Sequence, residues 1–265
     1  MTNSQYPSSI REINVLPIDE KVNIYKTLIP PWILSEFGID THTLTKNNRE
    51  VVSFRFPPSS RTVEISVKNE SKDIDPILYL NMTDTLNNQI LVLLVQVNDI
   101  NSLRFNTDID EHGVPTNLGT SSRNISAEVS AMEYGLAPGQ IRSGLRSFRK
   151  TVPIFETFVK YIGHDMFFIE PLAYHNAIIF ERYGFNYLRG LSDMKRIHQE
   201  FQPDGEYYKK LDDSNPFRKS NAWKTIRGRS WAIHDGILGY SFSEFQMYKR
   251  LGIDAGINTF PDAIW

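Results

Sequence analysis

The sequence contains no cysteine among its 265 residues. This absence excludes disulfide bonds, thiolate nucleophiles and every zinc or iron–sulfur site that depends on cysteine ligands. Long apolar runs are missing as well, because the longest, ILVLLV at residues 90–95, is far too short to span a bilayer. The first residues do not combine a basic start with an apolar block, so we expect no signal peptide and a cytoplasmic protein.

The sequence has no marked excess of charge of either sign. Its formal net charge is −2, and 23% of its residues are charged. We therefore expect neither nucleic acid nor an anionic membrane as a partner. The composition, with 40% hydrophobic and 12% aromatic residues, is typical of a globular chain that is long enough to bury a full core.

The hydrophobic pattern predicts alternating helices and strands. In chain order these are a strand at 12–17, helices at 17–29 and 32–37, strands within 50–68, a hairpin over 77–99, a polar loop at 104–124, a strand at 126–136, a helix at 143–163, a strand at 164–171 and a helix at 174–185. Near the end of the sequence, Ser241 and Glu244 form a capping-box pattern that predicts a helix over 245–252.

This order predicts an α/β fold with a mixed, mostly antiparallel central sheet flanked by helices. The last 75 residues are richer in polar turns. We therefore expect a domain over residues 1–190 and a C-terminal extension, 191–265, packed on the same domain.

The stretch AMEYGLAPGQIRSGLRSF, at residues 131–148, reads as a strand, a Pro-Gly turn and the start of a helix. The N-terminus of a helix attracts anions through its unpaired N–H groups and its dipole. Four cations, Arg142, Arg146, Arg149 and Lys150, follow the turn and would suit phosphate groups. The alternative is an ordinary connection whose basic side chains are solvated.

Three features occur in order along residues 136–185: Leu136-Ala137-Pro138, then Gly144, then Phe-Glu-Arg-Tyr-Gly-Phe at 180–185. Together they resemble the GNAT superfamily of acyl-CoA N-acyltransferases. The resemblance implies that acetyl-CoA or another acyl-CoA is a co-substrate and that loop N–H groups bind its pyrophosphate. It implies these cofactor-binding residues: Tyr134, Leu136, Gly139, Gln140, Ile141, Arg142, Ser143, Gly144, Leu145 and Asn176.

The implied reaction is attack of an amine on an acyl thioester, with a small molecule or a peptide as the acceptor. Such a reaction needs a base for the ammonium and an acid for the thiolate. Glu133, near the end of the predicted strand, is our candidate base. Glu128 lies on the same predicted strand, and we expect it to be a surface carboxylate. Tyr183 is the candidate acid. Whether the protein forms a homodimer is left open by the sequence.

Two departures from the family pattern suggest an alternative. Phe180 stands where the family often has an acidic tyrosine, and Arg146 stands where a small residue is usual. These residues favour a catalytically silent binding or interaction module with the same fold.

Two His-Asp pairs, His164-Asp165 and His234-Asp235, are the other titratable features of the sequence. No fixed metal-ligand spacing accompanies them, so we expect no metal site. The second pair lies between apolar residues and a glycine, which is an unusual place for titratable groups. It is either a functional pair or a turn that closes the C-terminal extension.

Overall fold

The computed structural model describes residues 5–117, 119 and 121–265. The chain divides into two compact units, and each is built from separate stretches of sequence. The first unit comprises Met1–Asn101, Gly144–Ile169 and Tyr248–Ile253. The second unit comprises Ser102–Ser143, Glu170–Met247 and Asp254–Trp265. The sequence-based division at residue 190 does not follow these units.

Groups of helices and groups of strands follow one another along the chain. The helices are α1 Ile10–Asn14, α2 Ile18–Lys26, α3 Pro31–Glu36, α4 Ile125–Tyr134, α5 Phe148–Tyr161, α6 Tyr174–Arg182, α7 Leu191–Glu200, α8 Glu206–Lys209 and α9 Ile226–His234. A 3₁₀ helix covers Ala222–Lys224. No helix in the described part of the chain is both long enough and apolar enough to cross a membrane.

The strands confirm the predicted mixed sheet. They are β1 Thr45–Lys46, β2 Arg49–Glu50, β3 Val52–Arg55, β4 Thr62–Val67, β5 Leu78–Asp84, β6 Ile90–Val97, β7 Met166–Ile169, β8 Asn186–Arg189 and β9 Gln246–Arg250. Strands β3 to β9 form a seven-stranded sheet in the order β3-β4-β5-β6-β7-β9-β8. The pairs from β3 to β6 are antiparallel, and β6 pairs with β7 in parallel.

Alternation of side chains explains why the first-unit strands form. In β4, Val63, Ile65 and Val67 are fully buried, while the residues between them are partly exposed. This period of two is that of a strand with one face on the core. The apolar stripe of α5 shows the helical period, with Phe155, Phe158 and Val159 buried.

The predicted first strand at 12–17 is wrong, because residues Ile10–Asn14 form α1. The Ser9 side chain accepts a hydrogen bond from the backbone N–H of Glu12, as an N-cap residue does. The carboxylate of Asp84 accepts two more, from the N–H groups of Ile10 and Arg11, at 2.8 Å each. The first-turn donors are therefore satisfied, which stabilises a helix too short to persist alone.

The predicted strand at 126–136 is also wrong, because this segment contains α4. The side chain of Asn124 accepts from the N–H of Ala127, and Gly135 ends the helix in the left-handed conformation with φ 98°. Both are standard helix-end signals, and Ala, Met and Glu between them favour helix. The alternation of Ala and Val with polar residues is therefore misleading at this point.

The predicted helix at 245–252 is a strand, β9. Burial alternates along it: Met247 and Lys249 are buried, while their neighbours Gln246 and Tyr248 are partly exposed. Glu244, which the capping-box pattern places in the first turn, adopts φ 64°. That left-handed conformation is incompatible with a right-handed helix.

Candidate functional site

Strand β6 belongs to the first unit and is the middle strand of the seven-stranded sheet. It carries apolar residues on both faces. Among the described residues, its parallel register with β7 consists of two pairs, Leu91–Phe168 and Val92–Ile169. Strand β6 continues to Val97 beyond these pairs. Its residues 93–97 are partly exposed, although four of the five are Leu or Val. Strand β7 ends at Ile169, opposite Val92, so β6 extends beyond it at the carboxyl end of the parallel pair, which is the end where ligands bind in open α/β sheets.

A bulge in the β5–β6 pairing lies at the same level of the sheet. Asn81 pairs with Leu94 and Met82 pairs with Val92, so Leu93 has no opposite residue. Bulges bend a strand and are frequent next to binding sites. The Oδ1 atom of Asn81 is buried without a hydrogen-bond partner in the described structure.

The N-terminus of α5 belongs to the same unit. Ser147 is its N-cap residue, is 5% exposed, and makes no side-chain capping bond. Its hydroxyl is buried and has no hydrogen-bond partner among the described residues. Arg149 and Lys150, in the first turn, are exposed. A buried free hydroxyl, a helix dipole and two cations form a suitable environment for an anion.

Two further residues of the first unit adjoin this helix end. The Lys150 ammonium lies 5.5 Å from the centre of the Trp32 ring, and the indole N–H of Trp32 is buried without a partner in the described part of the chain. Gly144 approaches the strand closely, since a Cβ atom there would lie 3.3 Å from the carbonyl oxygen of Val97. Only a small residue is accommodated there without movement of β6.

The sequence-predicted loop residues fall into both units. Gly144 and Leu145 belong to the first unit, whereas Gly139, Gln140, Ile141, Arg142 and Ser143 belong to the second. Residues 139–143 lie in the loop that connects α4 to α5, so the predicted strand–turn–helix is a helix–loop–helix. The side chain of Gln140 accepts from the N–H of Ala137 at 2.7 Å. Gln140 thus stabilises the turn itself.

The backbone of this second-unit loop is largely engaged. The Leu136 carbonyl accepts from the indole N–H of Trp231 at 2.8 Å, and the Ile141 carbonyl accepts from the N–H of Phe105 at 2.8 Å. Arg142 donates to the carbonyl of Ser102. These bonds fix the loop within the second unit.

The predicted acid and base occupy helix ends of the second unit. Glu133 is exposed near the end of α4, next to Tyr134, which is 47% exposed. Tyr183 is the C-cap residue of α6, and Asn176 lies in the first turn of that helix, partly exposed. Phe180 is buried, with its ring 5.2 Å from that of Phe185. The roles of Glu133 and Tyr183 remain predictions.

A buried ion cluster is the feature of the second unit that sequence reasoning missed. Glu128, which is 2% exposed, accepts hydrogen bonds from the guanidinium of Arg123 and, at 3.1 Å, from Nε2 of His234. Burial acts to raise the pKa of Glu128, but the hydrogen bonds from His234 and Arg123 outweigh it, and the pKa is lowered. Glu128 is therefore an ionised, interior carboxylate and not a surface one.

The neighbour of His234 completes the cluster. Asp235 accepts from Arg123 at 3.1 Å, from Arg218 Nε at 2.8 Å and from the Asn215 amide at 3.2 Å. Arg123 thus bridges two carboxylates that are far apart in sequence. The predicted His234-Asp235 pair does form a polar site, but its two side chains contact different partners.

The cluster can hold charge, but it does not resemble a metal centre. Among the described residues, no group of three or more His, Asp or Glu side chains is arranged to bind a metal ion. The sequence signals for the cluster were weak, because its members belong to three separate segments, 123–128, 215–218 and 234–235. Asn124 and Gly135, the residues that cap α4, were local clues that Glu128 lies on a helix.

Comparisons of the chain with protein-family models, curated proteins and solved structures give no match. The proposed function therefore depends on the geometry of the chain itself.

Proposed function

We propose that the first unit binds an acyl-CoA and that the protein transfers its acyl group to an amine. One observation carries the proposal: the Ser147 hydroxyl at the N-terminus of α5 is buried without a partner among the described residues, in the same unit as the carboxyl end of the β6–β7 pair. A hydroxyl donor, first-turn N–H groups and the helix dipole together favour a phosphate group.

The remaining first-unit features fit the other parts of such a ligand. Arg149 and Lys150 supply positive charge for phosphate oxygens. Residues 93–97 of β6 are partly exposed and mostly apolar, and they extend beyond the end of β7, so they suit an extended amide-containing arm. Gly144 lies so close to the Val97 carbonyl that a side chain would crowd this end of β6.

In the proposed reaction, the amine nitrogen forms a bond to the acyl carbon and the carbon–sulfur bond breaks. The nitrogen loses a proton to a base, and the departing sulfur gains one from an acid. The family resemblance names Glu133 for the base and Tyr183 for the acid, and both roles stay predictions from the sequence. Glu133→Gln and Tyr183→Phe should each lower turnover while leaving the acyl-CoA affinity unchanged.

The alternative is a protein that binds an acyl-CoA without turning it over. The observation in its favour is Phe180, which is 5% exposed and packs on Phe185, so it offers no proton where the family often has a tyrosine. Saturable binding of acetyl-CoA without release of free thiol, over a broad set of amines, would support this alternative.

The proposal is tested by titrating the protein with acetyl-CoA in a calorimeter. Gly144→Asp should reduce the affinity at least tenfold, because it adds bulk and negative charge 3.3 Å from the Val97 carbonyl. Gly113→Asp is the matched control: it adds the same charge at an exposed glycine with no neighbour within 4 Å of its Cβ position. Failure of the unaltered protein to bind acetyl-CoA, or equal affinities of the two variants, would contradict the proposal.

A further inference from the structure

The stretch Asp254–Trp265 of the second unit, which we call the strap, lies outside the helices and strands. It is therefore held by contacts with other elements of its unit. The N–H of Ala255 donates to the carbonyl of Gly184 at 3.2 Å, and the N–H of Ile226 donates to the carbonyl of Ile264 at 2.8 Å. These two backbone bonds attach the strap near its beginning and near its end.

Two neighbouring side chains of α6 hold the middle of the strap. The carboxylate of Glu181, which is 3% exposed, accepts from the N–H and from the hydroxyl of Thr259, at 2.7 Å each. Arg182 donates to the carbonyl of Ala263 at 3.0 Å. Few hydrogen bonds therefore join the strap to the unit, and segments held in this way open more readily than the fold as a whole.

Phe260 is the buried aromatic residue of the strap, and it covers two polar side chains. The centre of its ring lies 3.5 Å from the guanidinium carbon of Arg229 on α9, which is fully buried. The same ring lies 5.3 Å from the imidazole of His198 on α7, measured between the ring centres. Departure of Phe260 would bring both of these groups into contact with water.

The contact between Arg229 and His198 defines the protonation state of the imidazole. Nη1 of Arg229 lies 3.1 Å from Nδ1 of His198. A guanidinium has only donors, so Nδ1 is the acceptor and carries no proton. The proton that charges the imidazole would have to occupy Nδ1, where it would face a like charge at this short distance. A charged His198 is therefore incompatible with the arrangement beneath Phe260.

The electrostatic environment of His198 acts in the same direction. Burial lowers the pKa of His198, and the positive charge of Arg229 lowers it further, while the negative charge of Asp262 on the strap opposes them without offsetting them. Burial also lowers the pKa of Arg229, and Tyr174 acts against it. The covered state thus disfavours positive charge on both groups, and contact with water relieves both.

Two further titratable groups lie against the strap. The ring of Trp265 lies 6.4 Å from that of His175, which is 3% exposed. Burial lowers the pKa of His175 to about 3, and the charge of His234 acts in the same direction. Acid therefore opposes this contact as well. Glu181 acts in the other direction, because burial raises its pKa, so its protonation favours the covered state.

We propose that the strap is a pH-sensitive cover of the second unit, which acid releases by protonating His198. A proton on Nδ1 breaks the hydrogen bond from Arg229 and places two positive charges beneath Phe260. Release of the strap lets water hydrate both charges and lets them separate. The switch is independent of acyl-CoA binding, because its residues belong to the second unit, whereas Ser147 and Gly144 belong to the first.

Native-state hydrogen exchange of the full chain, at pH 7 and at pH 5.5, measures the release. The N–H groups of Ala255 and Ile226 report the strap, and the N–H of Leu136, bonded to the Ala131 carbonyl, reports unfolding of the second unit. Protection is compared after correction for the intrinsic pH dependence of exchange. If His198 regains its ordinary pKa of 6.5 on release, it raises the opening constant of the strap by up to about eightfold over this range. Leu136 should stay more strongly protected than the strap.

His198→Asn tests the trigger. Its amide oxygen can accept from Arg229 in place of Nδ1, but the side chain does not titrate, so the rise in opening should be smaller by the contribution of His198. The contributions of His175 and Glu181 are present in both proteins. His112→Asn, a change at an exposed histidine of the same unit, should behave as the unaltered protein does.

Three results would each overturn the proposal. The first is an opening constant of the strap in the unaltered protein that does not rise between pH 7 and pH 5.5. The second is an equal rise in His198→Asn and His112→Asn. The third is protection of Ala255 and Ile226 as strong as that of Leu136, because the strap would then leave only when the whole unit unfolds.

Discussion

His234 and Glu128 lie 3.1 Å apart, from Nε2 to Oε1, although 106 positions separate them in the sequence. The contact joins the last residue of α9 to the first turn of α4. Because Glu128 also accepts from Arg123, Arg123 contacts Asp235, and Asp235 contacts Arg218, a single buried cluster joins three segments of the second unit. The cluster is therefore expected to affect stability more than surface ion pairs do.

Glu128→Gln should destabilise the protein by about 3 kcal/mol at neutral pH, because it leaves a partly buried guanidinium without one of its carboxylates. The lowered pKa of Glu128 sets the pH range of this effect: the stabilisation is present above its ordinary pKa of 4.5 and is lost as the pH falls through the lower, folded-state pKa. Urea unfolding at several pH values measures the loss of stability and the pH range over which it occurs.

Glu64→Gln is the control for that change. Glu64 pairs with Arg55 at 3.6 Å, but the two side chains are 33% and 76% exposed. Removing an exposed pair should cost less than about 1 kcal/mol. Similar losses in Glu128→Gln and Glu64→Gln would show that the buried cluster has no special role in stability.

His175 should make the protein less stable in mild acid. Burial lowers its pKa from 6.5 to about 3, so the folded state leaves it neutral while the unfolded chain protonates it below pH 6.5. Stability therefore falls as the pH falls from 6.5 towards 3, by about 1.4 kcal/mol per pH unit once the pH is well below 6.5.

His175→Asn should remove this pH dependence. Relative to the variant, the unaltered protein should lose about 2 kcal/mol between pH 7 and pH 5 in urea unfolding. His42→Asn, a change at an exposed histidine, should leave the dependence in place. If the free energy of unfolding of His175→Asn depends on pH as it does in the unaltered protein, then His175 is protonated in the folded protein.

Gly119→Ala should disturb the imidazole of His234. Gly119 adopts φ +82°, and a Cβ atom there would lie 2.5 Å from Cε1 of His234. Gly113 has a similar φ of +77°, with nothing within 4 Å of its Cβ position. Gly113→Ala should therefore cost only the backbone strain, roughly 1–2 kcal/mol, and Gly119→Ala should cost more.

The difference between the two glycine variants measures the contact with His234. Thermal unfolding gives the free energies, and the imidazole resonances of His234 report its displacement. Equal stabilities of the two variants, with unchanged His234 resonances, would contradict the close approach of the loop to this side chain.

Ser147→Ala should separate binding from stability. The Ser147 hydroxyl is buried without a partner, so its removal should leave the free energy of unfolding unchanged or raise it. Ser9→Ala should cost about 1 kcal/mol, because Ser9 caps α1 with a hydrogen bond to Glu12. Acetyl-CoA affinity should fall several-fold in Ser147→Ala alone. A loss of stability in Ser147→Ala would indicate a structural role for its hydroxyl.

Much of the first unit could be predicted from the sequence. Alternation located β3 and β4 within residues 50–68, and the predicted hairpin over 77–99 located β5 and β6. The helical period located α2, α3 and α5. These elements have strong local signals, since their burial pattern and their turns agree with each other.

The second unit was harder to predict because its local patterns are ambiguous. Apolar and polar residues alternate over 126–136 in a pattern that also fits a strand. The capping residues Asn124 and Gly135 instead favour the helix that is observed. The capping-box pattern at Ser241 and Glu244 was overridden by the tertiary environment that buries alternate residues of β9. The ion cluster around Glu128 depends on long-range contacts, which no local pattern encodes.

The interleaving of the two units along the chain has a consequence for how the protein is synthesised. Tyr248–Ile253 completes the first unit, and the N–H of Leu251 donates to the carbonyl of Asp165 at 2.9 Å. The ribosome must therefore translate almost all of the second unit before the first can close. Pairings between distant segments form slowly, and until they form the edges of the sheet are exposed. We therefore expect the nascent chain to bind chaperones.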